Sequence, residues 1–209
     1  MIELKKNMTI LFQGDSITDF YRELDYSFGI GVGYARDVVA NVLINHPELN
    51  IKFINKGIGG NRTKDLVARW DEDCINLKPD ICTILIGIND TWRRYDENDP
   101  TSLEEFIGNY KNILDKCKAN NIKCLLIEPF VFPSNADWKK WLDEDLTDKQ
   151  KAVKELAKEY YLDFIPMHSI FMEACKKYEP QYLSSDGVHP NIPGHVILAN
   201  EILKVFGVK

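Results

Sequence analysis

The chain has 209 residues, 44% of them hydrophobic, which suits one domain spanning residues 1–209 around a buried core. A formal charge of −6 argues against a nucleic-acid partner, because phosphate binding calls for a basic surface. Five scattered cysteines without a CxxC pair read as reduced core thiols, not as disulfides or a metal site.

Residues 1–7 are charged, and the apolar run at 8–12 is too short for a signal-peptide core or a membrane span. The expectation is a soluble, cytoplasmic protein with no membrane partner. Residues 9–12 form the first predicted strand, followed directly by Gly14-Asp15-Ser16-Ile17-Thr18. A helix is predicted over 34–45, with Ala35, Val38, Val39, Val42 and Leu43 on one face. Residues 51–54 read as a strand, then come the glycine-rich stretch 57–61 and a helix over 64–76, with Thr63 placed to cap it. The strand at 81–86 runs into Gly87-Ile88-Asn89-Asp90. A helix follows over 102–119, its start marked by Ser102 and Glu105 in capping-box spacing. Beyond the strand at 123–127 and the segment 130–145, a helix is predicted over 148–160 with Thr147 as its cap. A strand at 163–165, a helix over 169–178, Asp186-Gly187-Val188-His189-Pro190 and a helix over 193–206 complete the chain.

Near-continuous apolar strands alternating with amphipathic helices predict an α/β domain, a three-layer α/β/α sandwich on a five-stranded parallel sheet. Ligands in such folds gather beyond the carboxyl ends of the strands, where the first three motifs fall. Ser16 can project its hydroxyl there, with Gly14 permitting a tight backbone path, although Gly-Asp-Ser is more often a helix-capping turn. It is not the G-x-S-x-G elbow, since Thr18 stands at the second glycine position. The 57–61 loop has neither P-loop nor dinucleotide spacing; it is either a plain turn or the source of an N–H for an oxyanion. Asn89 offers a neutral side-chain donor, or else an Asx turn or helix cap.

A serine hydroxyl needs a base, and His189 with Asp186 on its other ring nitrogen would supply one. A D-x-x-H pair is metal-binding or structural in many proteins, but here only His195 lies near, and it is expected to face along the last helix. His46 reads as solvated. His168 could reach the active face but lacks an acidic partner. Trp92, Arg93 and Tyr95 should overhang the cleft, as aromatic and cationic contacts for a sugar or as a loop closed by cation–π contacts. Trp138 and Trp141 fit a lid, an oligomer contact or simple packing, and the charges at 143–145 a solvated face.

In this order, Gly-Asp-Ser, the Gly60 loop, Gly-x-Asn-Asp and the late Asp-x-x-His resemble the sequence blocks of the SGNH (GDSL) hydrolase superfamily, from Gly14 to His189. Gly14–Asp19, Asn55–Asn61, Ala68–Trp70, Ile86–Asp90 with Trp92-Arg93, and Val188–Pro190 with Gly194-His195 are similar to intracellular acetylxylan esterases of Gram-positive bacteria. The resemblance implies the flavodoxin-like SGNH hydrolase fold, Ser16 as nucleophile, His189 as base and Asp186 as its orienting partner. It also implies an oxyanion hole from the N–H of Ser16, the N–H of Gly60 and the side chain of Asn89. Asp15 and Asn61, beside those donors, join Trp92, Arg93 and Tyr95 as expected substrate contacts. Neither cofactor nor metal is expected; the partners implied are acetylated xylo-oligosaccharides and further copies of the chain. The sequence departs from the likeness at 130–145 and at Ser184-Ser185, which bears on the ester chosen. The rival readings are a lysophospholipase or thioesterase, and a non-catalytic carbohydrate-binding protein on the same fold.

Overall fold

The computed structural model describes residues 2–24 and 28–208; Met1 of the charged N-terminal stretch lies outside them. In chain order the elements are β1 (Thr9–Gly14), α1 (Ser16–Asp19), α2 (Tyr34–Asn45), β2 (Lys52–Asn55), α3 (Thr63–Asp73), β3 (Ile81–Leu85), α4 (Ile88–Asp96) and α5 (Leu103–Ala119). They continue with β4 (Lys123–Ile127), α6 (Trp138–Trp141), α7 (Thr147–Glu159), β5 (Asp163–Ile165), α8 (Met167–Ala174), α9 (Pro180–Leu183) and α10 (Ile192–Val205).

The strands pair in the order β2-β1-β3-β4-β5, all parallel. This is the flavodoxin-like order, with its switch point between β1 and β3, where Gly14 pairs with Leu85. Side chains alternate across the sheet as strand geometry requires. Ile10, Phe12, Ile81, Leu85, Leu125 and Ile127 enter the core beneath α2 and α10. Leu11, Cys82, Ile84, Cys124 and Leu126 enter the opposite core beneath α3, α5 and α7. Both faces are covered, which is why the strands read as near-continuous apolar runs. The five cysteines are free thiols, and four of them are buried.

Several boundaries differ from the predicted ones for physical reasons. Ser102 does cap α5, accepting the N–H of Glu105 at 3.1 Å. Thr63 does not cap α3. Arg62 takes that position, with Asp65 accepting its N–H at 2.7 Å, and Thr63 is the first helical residue. Thr147 is no cap either, because the helix starts at Trp138 and passes through a π turn, Leu142–Leu146, straight into α7. On α2 the predicted apolar face is buried except for Leu43, which is 38% exposed at its edge. The acidic run at 143–145 is solvated only in part: Asp145 turns inward to pair with the fully buried Lys149.

Candidate active site

Three loops at the carboxyl ends of β1, β2 and β3 converge with the segment before α10. At the end of β1, Gly14 allows a close approach: a Cβ there would lie 2.3 Å from Thr18 Oγ1 and 2.4 Å from the Leu85 carbonyl. Asp15 then caps α1, its Oδ1 accepting the N–H of Ile17 at 3.0 Å. Ser16 becomes the first helical residue, where an N–H has no intrahelical partner.

Ser16 Oγ lies 2.8 Å from His189 Nε2, and His189 Nδ1 lies 2.7 Å from Asp186 Oδ2. The second carboxylate oxygen, Oδ1, accepts the backbone N–H groups of Val188 and His189, each at 2.8 Å. Buried Ser184 stitches the loop together, donating to the His189 carbonyl at 2.8 Å and accepting the Gly187 N–H at 3.0 Å. Gly187 has φ +81°, and a Cβ on it would collide with Asn135 at 2.3 Å.

The charges follow from these contacts. Partial burial works against ionisation of Asp186, but the bonds from the His189 ring and from two N–H groups outweigh it and hold its carboxyl well below the usual range. The same hydrogen bond to Asp186 raises the His189 pKa, against the effect of burial. With the carboxylate on Nδ1, that nitrogen carries the proton and Nε2 is free to accept one from Ser16.

Opposite the serine, the β2 loop brings Gly59 close, the site of a Cβ on it lying 4.0 Å from Ser16 Cβ. Asn89, in the first turn of α4 and 2% exposed, donates from Nδ2 to the Asn61 carbonyl at 3.1 Å. Asp90 ties the two loops together, accepting the Thr63 N–H at 3.0 Å and the Thr63 hydroxyl at 2.7 Å. Burial pushes its pKa up to about 6 despite those bonds. From below, Arg69 donates to Asn61 Oδ1 at 2.8 Å, to Gln13 Oε1 at 3.0 Å and to the Gly14 carbonyl at 3.3 Å. Ser16 at the start of α1, Gly60 in the β2 loop and Asn89 at the start of α4 therefore sit on segments that are braced against one another.

The other expected contacts are placed differently. Asp15 is 1% exposed, and burial lifts its pKa to about 7, so it underlies the cleft and does not line it. Asn61 spends its side-chain oxygen on Arg69. Residues 92–95 belong to α4, not to a loop. Trp92 stands 6.2 Å, ring to ring, from His189 and 5.7 Å from Trp141. Arg93 turns away to Asp96 and Glu97, and Tyr95 stacks on Trp141 and donates to Glu144 at 3.2 Å. Trp141, 3% exposed between these rings, packs the segment down. His195 is buried inside α10 with Nδ1 accepting the Tyr34 N–H at 3.1 Å; burial lowers its pKa to about 4. His46 pairs with Glu48, and His168 is not among the cleft residues.

An open cleft of about 480 Å³ adjoins Ser16 and His189. Asp19, Phe20, Tyr21, Ser185 and Asn191 line it; of these the sequence raised only Ser185, as a departure bearing on the ester chosen. Asp19 and Phe20 adjoin the Gly-Asp-Ser block, the one signal that could have raised them. The arrangement as a whole offers an activated hydroxyl, a histidine able to take and return its proton, and neutral donors opposite.

Known proteins share this frame. Residues 12–197 match the family described as GDSL-like Lipase/Acylhydrolase. The chain is 38% identical over 208 residues to an acetylxylan esterase of Geobacillus stearothermophilus, covering 95% of this chain and 93% of that protein. The crystal structure of an acetylxylan esterase from that organism superposes with a TM-score of 0.92 at 34% identity, covering 100% of this chain and 98% of that one. A Parabacteroides merdae protein taken for a GDSL-like lipase superposes with a TM-score of 0.93 at 33% identity, covering 100% and 99%.

Proposed function

The chain belongs to the GDSL-like Lipase/Acylhydrolase family and is a serine-type carboxylic ester hydrolase; we propose that Ser16, His189 and Asp186 carry its chemistry and that its esters are acetylated carbohydrates. What carries the residue assignment is the unbroken line of hydrogen bonds from Ser16 Oγ through both nitrogens of His189 to Asp186. The likeness to the acetylxylan esterase supports the substrate class.

The reaction proceeds in two acyl transfers. His189 Nε2 takes the Ser16 proton as Oγ attacks the ester carbonyl, and Asp186 stabilises the imidazolium that forms. The oxyanion is met by the N–H of Ser16, the N–H of Gly60 and Nδ2 of Asn89, all neutral donors set before the charge develops. His189 returns the proton to the sugar oxygen as the ester C–O bond breaks, so that the sugar leaves as an alcohol and Ser16 is left acetylated. Water, deprotonated by the same imidazole, then attacks the acetyl carbonyl; the bond to Ser16 Oγ breaks, acetate leaves, and His189 gives the proton back to Oγ.

The same reading has the enzyme cytoplasmic and assembled from identical copies. All five cysteines are free thiols, as a reducing compartment would keep them, and among the described residues no helix is long and apolar enough to cross a membrane. Size-exclusion chromatography with light scattering tests the assembly.

Acetate release from acetylated xylo-oligosaccharides, beside p-nitrophenyl acetate, tests the activity. Ser16→Ala and His189→Ala are expected to abolish both; comparable activity in Ser16→Ala and the unmodified enzyme refutes the assignment. A rate that climbs toward octanoyl esters refutes the acetyl preference.

A further inference from the structure

One wall of the cleft has no part in the acyl transfer just described. Directly after α1 the backbone takes two left-handed residues in succession, Phe20 at φ 27° and Tyr21 at φ 63°. Neither is glycine, so the turn is strained, and such strain survives only where surrounding contacts impose it. Here the Phe20 N–H donates to the Ser16 carbonyl at 3.0 Å and its carbonyl accepts the Val32 N–H at 2.9 Å. The Phe20 ring packs on His195 at 4.2 Å between centroids. The outcome is a buttressed Phe20 and a Tyr21 ring that is 61% exposed at the cleft, edge-on to Phe20 at 5.5 Å.

Asp19 lines the same cleft between this turn and Ser16. Arg22 Nε lies 3.2 Å from Asp19 Oδ1 and also donates to the Gly57 carbonyl at 2.8 Å, so the carboxylate is held from one side. His189 already has its own carboxylate in Asp186, and the oxyanion requires donors, so Asp19 has no task in the bond-making steps. Across the cleft, Ser185 Oγ donates its proton to Asn191 Oδ1 at 3.0 Å, which leaves the hydroxyl oxygen as an acceptor. Asn191 in turn spends its amide hydrogens on the carbonyls of Gln181, at 2.8 Å, and Tyr182, at 3.4 Å. Asp19 and Ser185 face this space as acceptors, beside an exposed aromatic ring whose own hydroxyl can donate or accept. A ligand that suits them is rich in hydroxyl donors and has an apolar C–H face. A fatty acyl chain would desolvate the Asp19 carboxylate without compensation.

We propose that this cleft is the subsite for the alcohol half of the ester, where Asp19 accepts hydrogen bonds from hydroxyls of a neutral sugar and Tyr21 stacks on its C–H face. The inference rests on the carbohydrate reading above and locates the sugar away from Trp92, Arg93 and Tyr95.

The test compares kcat/KM on acetylated methyl β-xylopyranoside with kcat/KM on p-nitrophenyl acetate, whose leaving group has no sugar hydroxyls. In Asp19→Ala the ratio of the two is expected to fall about tenfold or more, the scale of one charge-assisted hydrogen bond. Tyr21→Ala removes an exposed side chain without touching the core and is expected to lower the ratio several-fold, mainly through KM. Asp19→Asn, which keeps one acceptor oxygen, is expected to fall between. Ratios in both alanine variants within about twofold of the unmodified enzyme overturn the proposal. An Asp19→Ala loss equal on both substrates also overturns it, since the residue then supports Ser16 alone. If the unmodified enzyme turns over p-nitrophenyl acetate but never the acetylated xyloside, the carbohydrate reading itself falls and the subsite with it.

Discussion

Replacing Asp186 with asparagine discriminates sharply among accounts of how the triad works. Two backbone N–H groups, from Val188 and His189, converge on Oδ1 at 2.8 Å each, while Oδ2 faces His189 Nδ1 at 2.7 Å. An asparagine must keep its carbonyl oxygen where the two N–H groups converge, which puts its NH₂ against Nδ1. The reverse placement strands both N–H groups at about 1–3 kcal/mol each, more than the about 1 kcal/mol that one good hydrogen bond to Nδ1 returns. The amide therefore donates to Nδ1, the ring proton moves to Nε2, and Nε2 can no longer accept the proton of Ser16. The expected loss in kcat on p-nitrophenyl acetate is on the order of 10⁴-fold, the scale of a wrong-tautomer triad. Asp186→Ala imposes no tautomer and is expected to lose less. Steady-state kinetics of the two variants side by side decide it. An asparagine variant within about tenfold of the unmodified enzyme, or more active than the alanine variant, refutes the reasoning.

Asn89→Ala is expected to lower kcat by about 10²–10³ with KM little changed, because one oxyanion donor is lost; equal changes in KM and kcat/KM would contradict it. Since catalysis needs neutral His189 and Asp186 raises its pKa, kcat/KM should rise with pH through a midpoint above the ordinary histidine value, and in Asp186→Ala that midpoint should move down. Asp15 has a folded-state pKa near 7 against an ordinary 3.8, so the folded protein binds the extra proton and stability falls as pH rises across that window. Asp15→Asn should raise the unfolding midpoint at about pH 8 and leave it unchanged at about pH 4, measured by thermal denaturation. Ser184→Ala strands the buried Gly187 N–H, which costs about 1–3 kcal/mol, or about 2–4 °C in Tm per kcal/mol for a chain of this size; an unaltered Tm would show that the loop repairs itself.

Local chemistry made much of this protein legible from its residues. The strands announce themselves because a parallel sheet covered on both faces demands near-continuous apolar runs, and 81–86 and 123–127 are such runs. Ser102 is a cap because its hydroxyl reaches the N–H of Glu105 within one turn. Ser16, Gly60, Asn89, Asp186 and His189 stood out because each lies in a short motif at a strand end or before the last helix. What no local rule supplies is direction. Trp92, Arg93 and Tyr95 are expected over the cleft, and Trp92 does stand beside His189, but the phase of α4 turns Arg93 toward Asp96 and Tyr95 onto Trp141. Asp15 and Asp19 are both acidic and close to Ser16, yet the helix cap buries the first and leaves the second in the cleft. Lys149 is a surface residue by composition and a core one by position, since only the folded chain sets Asp145 and the Asp90 carbonyl around it. The order of strands and helices and the residue types at their ends are written locally, because those depend on neighbours within a turn or two. Tertiary structure alone decided which side chains meet across a separation as long as that from Ser16 to His189, because those contacts depend on how the layers pack.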